Sequence, residues 1–323
     1  MKIVYFGIYS RGAAYPRNRN IIHALRYQGH EVIEIHYEMA GSFKERSDAA
    51  NSLLGATKFG ISVFWSYFVL GFKYLVMGRH DVVVVGHPGY FHIHLAKVLI
   101  KLRLHSPILV YDIFIPLYNT LIEDRGIFAK NSAKSRFLHA FESSCCKQAG
   151  INLVDTNQHA SYICNEFGVD PAAVVRVFVG STLKPAFRET GTTEDNGKFR
   201  IVFVGTYIPL HGVDTILKAA QILLPQADIE FALVGSGQLK DEMQSYSLSN
   251  HLHNIKFIDW VHPDQLDVLM RKYDLALGIF GATEKASRVI ATKIFDICAL
   301  GLPFITSDSN AIREVFEHKV NCY

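Results

Sequence analysis

The chain has 323 residues, of which 49% are hydrophobic and 20% charged, a globular composition with apolar material for two cores. Lys and Arg number 33 against 30 Asp and Glu. This near balance excludes the clustered basic footprint of a nucleic-acid-binding protein, so we expect no nucleic-acid partner. The five cysteines include no Cys-x-x-Cys pair, which indicates a reducing, cytoplasmic compartment rather than a disulfide framework or zinc site.

In the first half of the chain, short apolar runs alternate with amphipathic stretches. Strands are predicted at residues 2–7, 31–36, 81–85, 108–112, 151–155 and 174–178, and helices at 19–28, 91–102 and 135–147. The apolar stretch 59–77 is about long enough to cross a bilayer, but Lys73, two glycines and two serines interrupt it. A buried or interfacial helix is therefore preferred to a membrane span.

The second half repeats this alternation. Strands are predicted at 199–204, 229–234, 255–258, 275–279 and 303–306, and helices at 213–223, 263–272 and 292–300. Strands that are apolar on both faces and alternate with helices are typical of doubly wound parallel sheets. The polar segment 189–198 separates a domain at 1–188 from one at 199–323, and we expect the second to continue beyond Tyr323.

Ligands of such sheets bind beyond the carboxyl ends of the strands, so two facing units predict a site in an interdomain cleft. The sequence lacks the motifs of other common phosphate-binding sites. Gly-x-Gly-x-x-Gly does not follow the first strand, Gly235-Ser236-Gly237 lacks a third glycine, and a Walker A motif is absent. Asp-x-Asp, which would hold a diphosphate through a divalent metal, is also absent. We therefore expect neither a metal nor a cofactor.

Two segments of the second domain suit a phosphate group. After the strand at 199–204, a loop with Gly205 leads to Gly212 and a helix start, where free N–H groups attract anions. Around the predicted helix start at 292 stand Lys285, Arg288 and Lys293, and Asp296 lies one turn into that helix. This pattern predicts a diphosphate at the cations and a ribose diol at the carboxylate, within 280–301.

The residues resemble the retaining GT-B glycosyltransferases called family 4, in a branch that builds bacterial and archaeal surface polysaccharides. The resemblance covers both domains and is strongest at 203–220, at 278–314 and in the opening residues 5–32. It implies a GT-B fold of two Rossmann-like domains, a nucleotide-diphosphate sugar donor and metal-independent transfer with retention of configuration. The acceptor it implies is a saccharide or lipid-linked saccharide, handled at the inner face of the cell membrane.

The sequence departs from that family at its signature positions. The family's paired glutamates fall on Arg288 and Asp296, and its phosphate-binding arginine and lysine fall on Thr206 and His211. We expect Arg288 and Lys293 to supply the missing positive charge. The predicted donor-binding residues are Gly205, Thr206, Val261, His211, Gly212, Gly281, Ala282, Arg288, Lys293 and Asp296.

Lys293 and Asp112 are the predicted catalytic residues, Asp112 because it ends a strand. The predicted acceptor-binding residues follow strand ends in the first domain: Gly12, Arg17, Asn18, Tyr118, Asp124 and Arg125. Two alternatives stay open, since Asn18 suits a helix N-cap and Asp124 with Arg125 suits a surface pair. His87, His92 and His94 lack a metal-binding spacing, which favours structural roles.

The predicted function is glycosyl transfer from a nucleotide-diphosphate sugar to an acceptor hydroxyl. Two alternatives remain at the sequence level. A nucleotide-sugar epimerase or hydrolase of the same fold would consume donor without an acceptor. A degenerate nucleotide-binding subunit, suggested by the departures at the signature positions, would bind nucleotide without turnover.

Overall fold

The computed structural model describes residues 1–9, 11, 16–38, 53–124, 126–181, 183 and 197–322. The chain forms two compact units, the first largely within residues 1–177 and the second largely within 178–323. Most of the predicted linker 189–198 lies outside the described residues. Each unit is a parallel sheet covered by helices on both faces, as the alternating pattern predicts.

The first unit contains a sheet of six strands in the order β2-β1-β3-β4-β5-β6, all parallel. The strands are β1 Lys2–Gly7, β2 Glu31–His36, β3 Val82–Val85, β4 Ile108–Asp112, β5 Ile151–Val154 and β6 Val174–Arg176. The helices are α1 Arg17–Tyr27, α2 Leu53–Leu75, α3 Ile93–Leu102, α4 Ala133–Gln148 and α5 Asn157–Phe167. A π-helical segment, Asn119–Asp124, precedes α4.

The helices of the first unit divide unequally between the two faces of its sheet. Ile22 of α1 packs in one core cluster with Ile3 and Tyr5. The other four helices pack on the opposite face, where their buried residues form one cluster that includes Leu70, Ile93, Cys145 and Ile163. Right-handed crossovers in this strand order put a helix on the second face each time the chain steps from β2 toward β6.

The second unit contains five parallel strands in the order β11-β10-β7-β8-β9. They are β7 Phe199–Val204, β8 Ile229–Val234, β9 Ile255–Ile258, β10 Leu275–Leu277 and β11 Phe304–Ile305. The helices are α6 Val213–Ile222, α7 Lys240–Ser249, α8 Pro263–Met270, α9 Glu284–Arg288 and α10 Thr292–Ala299. Helices α6 and α7 cover one face, and α8 and α10 cover the other.

The apolar stretch 59–77 is helical, as predicted, and belongs almost entirely to α2. Among the described residues, no helix is both long and apolar enough to cross a membrane. One face of α2 is committed to the core through the buried residues Ser66, Leu70 and Tyr74. These residues recur every four positions, which is one side of a helix.

A buried carboxyl group joins α4 to the loop that follows β4. Glu142 is 1% exposed and accepts hydrogen bonds from the backbone N–H groups of Leu117 at 2.6 Å and Tyr118 at 2.7 Å. Burial raises the pKa of Glu142 to about 7, against the opposing effect of those two hydrogen bonds. The loop that carries Tyr118 is therefore anchored by a group that changes charge near neutral pH.

Glu142 is expected to make stability depend on pH. Between about pH 4.5 and pH 7 the folded protein holds a proton on Glu142 that the unfolded chain has released. The free energy of unfolding should therefore fall as pH rises through this window, by roughly 3 kcal/mol in all. Urea denaturation of Glu142→Gln should show a flatter pH dependence, whereas the exposed Glu242→Gln should follow the parent chain. An equally steep dependence in Glu142→Gln would contradict this origin.

Candidate functional site

The loops that follow β7, β8 and β10 meet at the carboxyl edge of the second sheet. The backbone N–H of Gly205 donates to the carbonyl of Val234 at 3.0 Å, which joins the first two loops. The N–H of Phe280 donates to the carbonyl of His211 at 3.0 Å, which joins the loops after β7 and β10. Because the strands are parallel, their carboxyl ends share one edge, where the ligands of such sheets bind.

Gly212 allows this close approach. It adopts a left-handed conformation, with φ of 59°, between a short 3-10 turn at Pro209–His211 and the start of α6. A Cβ atom at this position would collide with the backbone of Phe280. Glycine is thus required twice, for its φ angle and for its missing side chain.

The structure brings the side chain of Lys293 to this edge. From the first turn of α10 its ammonium lies 3.9 Å from the centre of the Phe203 ring and donates to the carbonyl of Gly278 at 3.4 Å. A Cβ atom on Gly205 would lie 2.6 Å from that nitrogen, so the ammonium borders the glycine loop. No carboxylate of the described residues forms an ion pair with it. Desolvation lowers the pKa of Lys293 well below its usual range.

His211 lies beside the same glycine. A Cβ atom on Gly205 would stand 3.1 Å from its Cε1 atom. Its Nδ1 atom hydrogen-bonds the carbonyl of Thr206 and must carry the proton, since a carbonyl oxygen can only accept. Desolvation and the neighbouring Lys293 lower the pKa of His211 to about 3. The ring is therefore neutral at pH 7, so His211 brings no positive charge to this edge.

Asp296 lies one turn after Lys293 on α10, so both side chains project from one side of the helix. Its carboxylate accepts a hydrogen bond from the Ser181 hydroxyl at 2.6 Å. The two oxygens of a carboxylate together offer about four acceptor positions. Ser181 and Phe203 are not among the predicted site residues, because only the fold brings them beside Asp296 and Lys293.

Arg288 is placed differently from the prediction. It ends α9, a separate short helix, and its guanidinium forms ion pairs with Glu284 at 2.5 Å and Glu123 at 3.3 Å. Two carboxylates already neutralise this charge. The structure therefore does not support Arg288 as a source of positive charge for a phosphate, whereas Lys293 does stand in the first turn of α10.

The start of α10 is open to an anion. Ala291 occupies the N-cap position, and no side chain of the described residues caps the first turn. Free N–H groups at a helix start are donors that carry a partial positive charge. Three other predicted donor residues stand on loops at this edge: Gly281 beside the backbone of Leu210, Ala282 and Thr206 exposed. Val261 follows β9, at the same carboxyl edge.

In the first unit, Arg17 and Asp112 pair with each other in the interior. Their exposed fractions are 2% and 0%. The Arg17 Nε atom donates to both carboxylate oxygens of Asp112, at 2.8 and 2.9 Å, and its Nη1 atom donates to the carbonyl of Val177 at 2.7 Å. The guanidinium also stacks over Phe114 at 4.7 Å. This placement does not support the catalytic role predicted for Asp112 or the acceptor contact predicted for Arg17.

Asn18 and Tyr118 are also buried. Asn18 lies within α1 rather than at its N-cap, accepting from the Tyr5 hydroxyl at 2.8 Å and donating to the carbonyl of His87 at 2.7 Å. Tyr118 is 5% exposed and packs edge-on against His139. Both belong to the scaffold of the first unit. Gly12 and Arg125 lie outside the described residues, as does the side chain of Asp124, so those three acceptor predictions stay predictions.

The histidines have internal partners. His92 is buried and hydrogen-bonds the Ser66 hydroxyl at 3.0 Å, and His94 lies 3.6 Å from the Cys145 sulfur. Burial lowers the pKa of His92 to about 4, so it is neutral at pH 7. Structural roles are therefore supported for His92 and His94. In the described part of the chain, no group of three or more His, Cys, Asp or Glu residues could hold a metal ion.

Comparison with known proteins gives one family match. Residues 198–323 match the family described as Glycosyl transferases group 1. An uncharacterized glycosyltransferase of Methanocaldococcus jannaschii is 24% identical over 137 residues, which are 42% of this chain and 33% of that protein. The matched region thus spans about a third of the relative's length. Both matches concern partial lengths of chain.

Solved structures match nearly the whole chain. The lipopolysaccharide outer core galactosyltransferase WaaB is 13% identical with a TM-score of 0.58, and the match covers 99% of this chain and 85% of that one. Anabaena HepE in complex with UDP and glucose is 14% identical with a TM-score of 0.62, and the match covers 100% of this chain and 85% of that one. The sucrose-phosphate synthase of Thermosynechococcus elongatus is 10% identical with a TM-score of 0.63, and the match covers 97% of this chain and 83% of that one.

The chain has a GT-B fold. The fold class predicted from the sequence, two Rossmann-like units with parallel sheets, is therefore confirmed. Within this GT-B chain, the family match falls on the unit that contains Lys293 and the glycine loops.

The buried ion pair predicts a stability defect in Asp112→Asn. Removing one partner leaves the Arg17 charge buried without compensation, which should cost about 3–5 kcal/mol. Chemical denaturation measures this loss. Adding Arg17→Gln should recover part of it, since the second change removes the uncompensated charge. If Asp112→Asn were as stable as the parent but lost turnover, the catalytic assignment of Asp112 would be restored.

Proposed function

We propose that this GT-B chain is a glycosyltransferase that moves a sugar from a nucleotide-diphosphate sugar to an acceptor hydroxyl. The observation that carries the proposal is Lys293, a lysine without a carboxylate partner among the described residues, beside the glycine loop and at an uncapped helix start. A cation and free amides that converge at one place suit a diphosphate. The family match of residues 198–323 supports the same function.

The proposed donor lies along the first turns of α10. Its diphosphate meets the Lys293 ammonium and the N–H groups at the helix start, and its ribose hydroxyls meet Asp296, one turn further along. Ser181 then exchanges its hydrogen bond with Asp296 for one with the ligand or shares the carboxylate. The nucleobase lies near the loop that carries Val261. The structure of Anabaena HepE contains UDP and glucose, which supports a nucleotide in a fold of this kind.

In the proposed reaction, the leaving group is a nucleoside diphosphate that gains negative charge as the glycosidic bond breaks. Lys293 and the amides of α10 stabilise this charge, which is the largest electrostatic task of the step. Lys293 is in this sense the catalytic residue. The proposal includes retention of configuration, membership of family 4 and transfer of a hexose, with no metal required.

The proposed acceptor is a lipid-linked saccharide used in building cell-surface polysaccharide or lipopolysaccharide, and the chain works at the inner face of the cell membrane as a peripheral protein. WaaB is named as a lipopolysaccharide outer core galactosyltransferase, which supports this class of acceptor. Of the structures named above, WaaB is a galactosyltransferase and the Thermosynechococcus elongatus protein is a sucrose-phosphate synthase, which favours a transferase over an epimerase or hydrolase.

Lys293→Ala should weaken nucleotide binding. Losing a charged hydrogen bond costs about 1.5–3 kcal/mol, so the dissociation constant should rise roughly 10- to 150-fold. A thermal-shift panel of UDP, GDP and ADP, followed by calorimetry on the best ligand, measures this change. A ligand at 100 times its dissociation constant adds about 2.7 kcal/mol of stability, which gives a clear shift.

The matched control is Lys218→Ala, which removes an exposed lysine of α6 that pairs with Asp214. It should bind nucleotide as the parent does. Unchanged affinity in Lys293→Ala would remove the observation that carries the proposal. Nucleotide binding without sugar transfer to any acceptor would instead favour a degenerate binding subunit.

Nucleotide binding should weaken as pH rises. Desolvation lowers the pKa of Lys293 in the free protein, and a bound diphosphate favours its charged form and raises that pKa again. Between the two values, binding takes up a proton, so affinity falls as pH increases through that window. Calorimetry in buffers of different ionisation enthalpy measures the proton uptake directly. Uptake that persists in Lys293→Ala would assign the proton to another group.

A further inference from the structure

The outer face of α2 carries an apolar stripe. It consists of six large side chains of α2 and one that directly follows the helix, all between 47% and 74% exposed: Ile61, Phe64, Trp65, Phe68, Phe72, Leu75 and Val76. Their spacings of three and four residues place them on one side of the helix. The rings of Trp65 and Phe68 stack at 5.6 Å, so neighbouring members of the stripe contact each other.

This stripe is unusual for a surface helix. A helix that covers a sheet normally buries one apolar side and turns polar residues to water. Helix α2 already buries Ser66, Leu70 and Tyr74 against the sheet, yet its opposite side is apolar as well. The stripe runs for about 22 Å along the helix, given its rise of about 1.5 Å per residue. Contiguous exposed apolar surface of this extent marks an interaction site.

The helices that carry and adjoin this stripe are basic. Helices α2 and α3 contain no acidic residue, and the acidic residue of α4, Glu142, is buried. The same three helices contain seven cations: Lys58, Lys73, Lys97, Lys101, Lys134, Arg136 and Lys147. Acidic and basic residues are nearly balanced over the whole chain, so this layer departs from the average.

The apolar surface continues on the neighbouring helices. Helix α3 packs beside α2, and α4 packs beside α3. Val98 and Leu102 of α3 are 52% and 66% exposed, and Phe137 of α4 is 69% exposed. The hydroxyl of Tyr67 on α2 donates to the carbonyl of Phe91, just before α3, which fixes the two helices to each other.

We propose that the outer face of α2, with the adjoining surface of α3, binds the surface of an anionic lipid bilayer. The stripe enters the boundary between headgroups and acyl chains, while the lysines at its flanks meet the anionic headgroups. Aromatic and aliphatic residues on one side with lysines beside them are what an interfacial helix presents. Because the other side of α2 is fixed in the core, the helix lies along the membrane plane.

Charge distinguishes this occupant from a second copy of the chain. A two-fold interface through α2 would place Lys58, Lys73 and Lys101 against the same basic surface of the other copy. The helices involved offer no exposed acidic side chain to pair with them. An anionic membrane both buries the apolar side chains of the stripe and pairs its anionic headgroups with the adjoining lysines. The inference rests on the proposed function only for the membrane-bound acceptor, and its test is separate.

Vesicle flotation of the full chain tests the proposal. The chain should bind phosphatidylcholine vesicles that contain phosphatidylglycerol, bind phosphatidylcholine alone more weakly, and lose affinity as salt rises. Phe64→Gln with Phe68→Gln should weaken binding at least tenfold, since two aromatic side chains no longer leave water. Lys58→Ala with Lys101→Ala should weaken it roughly 25-fold, about fivefold for each lysine.

The matched control is Leu248→Gln, which removes a residue 78% exposed on α7 of the second unit. It should bind vesicles as the parent does. Fluorescence gives a second reading, because the chain has two tryptophans. In Trp260→Phe, emission from Trp65 should shift to shorter wavelength with anionic vesicles and be quenched by brominated lipids.

Absence of vesicle binding, or equal binding by the Phe64 and Phe68 variant, would overturn the proposal. So would a dimer in solution that this variant converts to a monomer, which would assign the stripe to a self-interface. The nucleotide thermal shift, measured on the same preparations, should be identical in parent and variant. Loss of vesicle binding with nucleotide binding intact thus removes the docking surface alone, and absent nucleotide binding in the parent removes the proposed function alone.

Discussion

The second unit depends on one steric constraint, the close approach of the loops that follow β7 and β10. The carbonyl of His211 accepts from the N–H of Phe280, and Gly212 leaves room for that backbone. This contact holds two loops at the carboxyl edge of the sheet, where α10 also begins. Any larger residue at Gly212 would separate the loops, and the glycine surface beside Lys293 would be lost.

The two units differ in how their charged side chains are paired. In the first, the buried guanidinium of Arg17 and the carboxylate of Asp112 neutralise each other inside the fold, which makes the pair part of the scaffold. In the second, Arg288 is likewise neutralised by glutamates, whereas Lys293 has no carboxylate partner among the described residues. An ammonium without a carboxylate partner in a desolvated setting is costly, and desolvation lowers the pKa of Lys293 for the same reason. An anionic ligand would remove that cost, which is why the proposed donor site centres on this residue.

In the first unit, helix α2 is apolar on two sides. The inner side of α2 packs Leu70 and Tyr74 into the core, and its outer side exposes aromatic residues with lysines at the flanks. A strand order that runs from β2 to β6 places α2, α3 and α4 next to one another, so their basic charge accumulates on one layer. The proposed donor site and the proposed membrane surface thus belong to separate units with separate physical requirements.

The sequence by itself determined the local elements, because apolar periodicity and glycine punctuation act over short distances. The strands at residues 2–7, 199–204 and 229–234 and the helix within 59–77 were predicted from it, as was the GT-B fold class. Lys293 and Gly212 were also named from the sequence. Only the tertiary structure decided which partners the charged groups have. Arg17 meets Asp112 across 95 positions and Ser181 meets Asp296 across 115, and pairings so distant leave no periodic signal in the sequence.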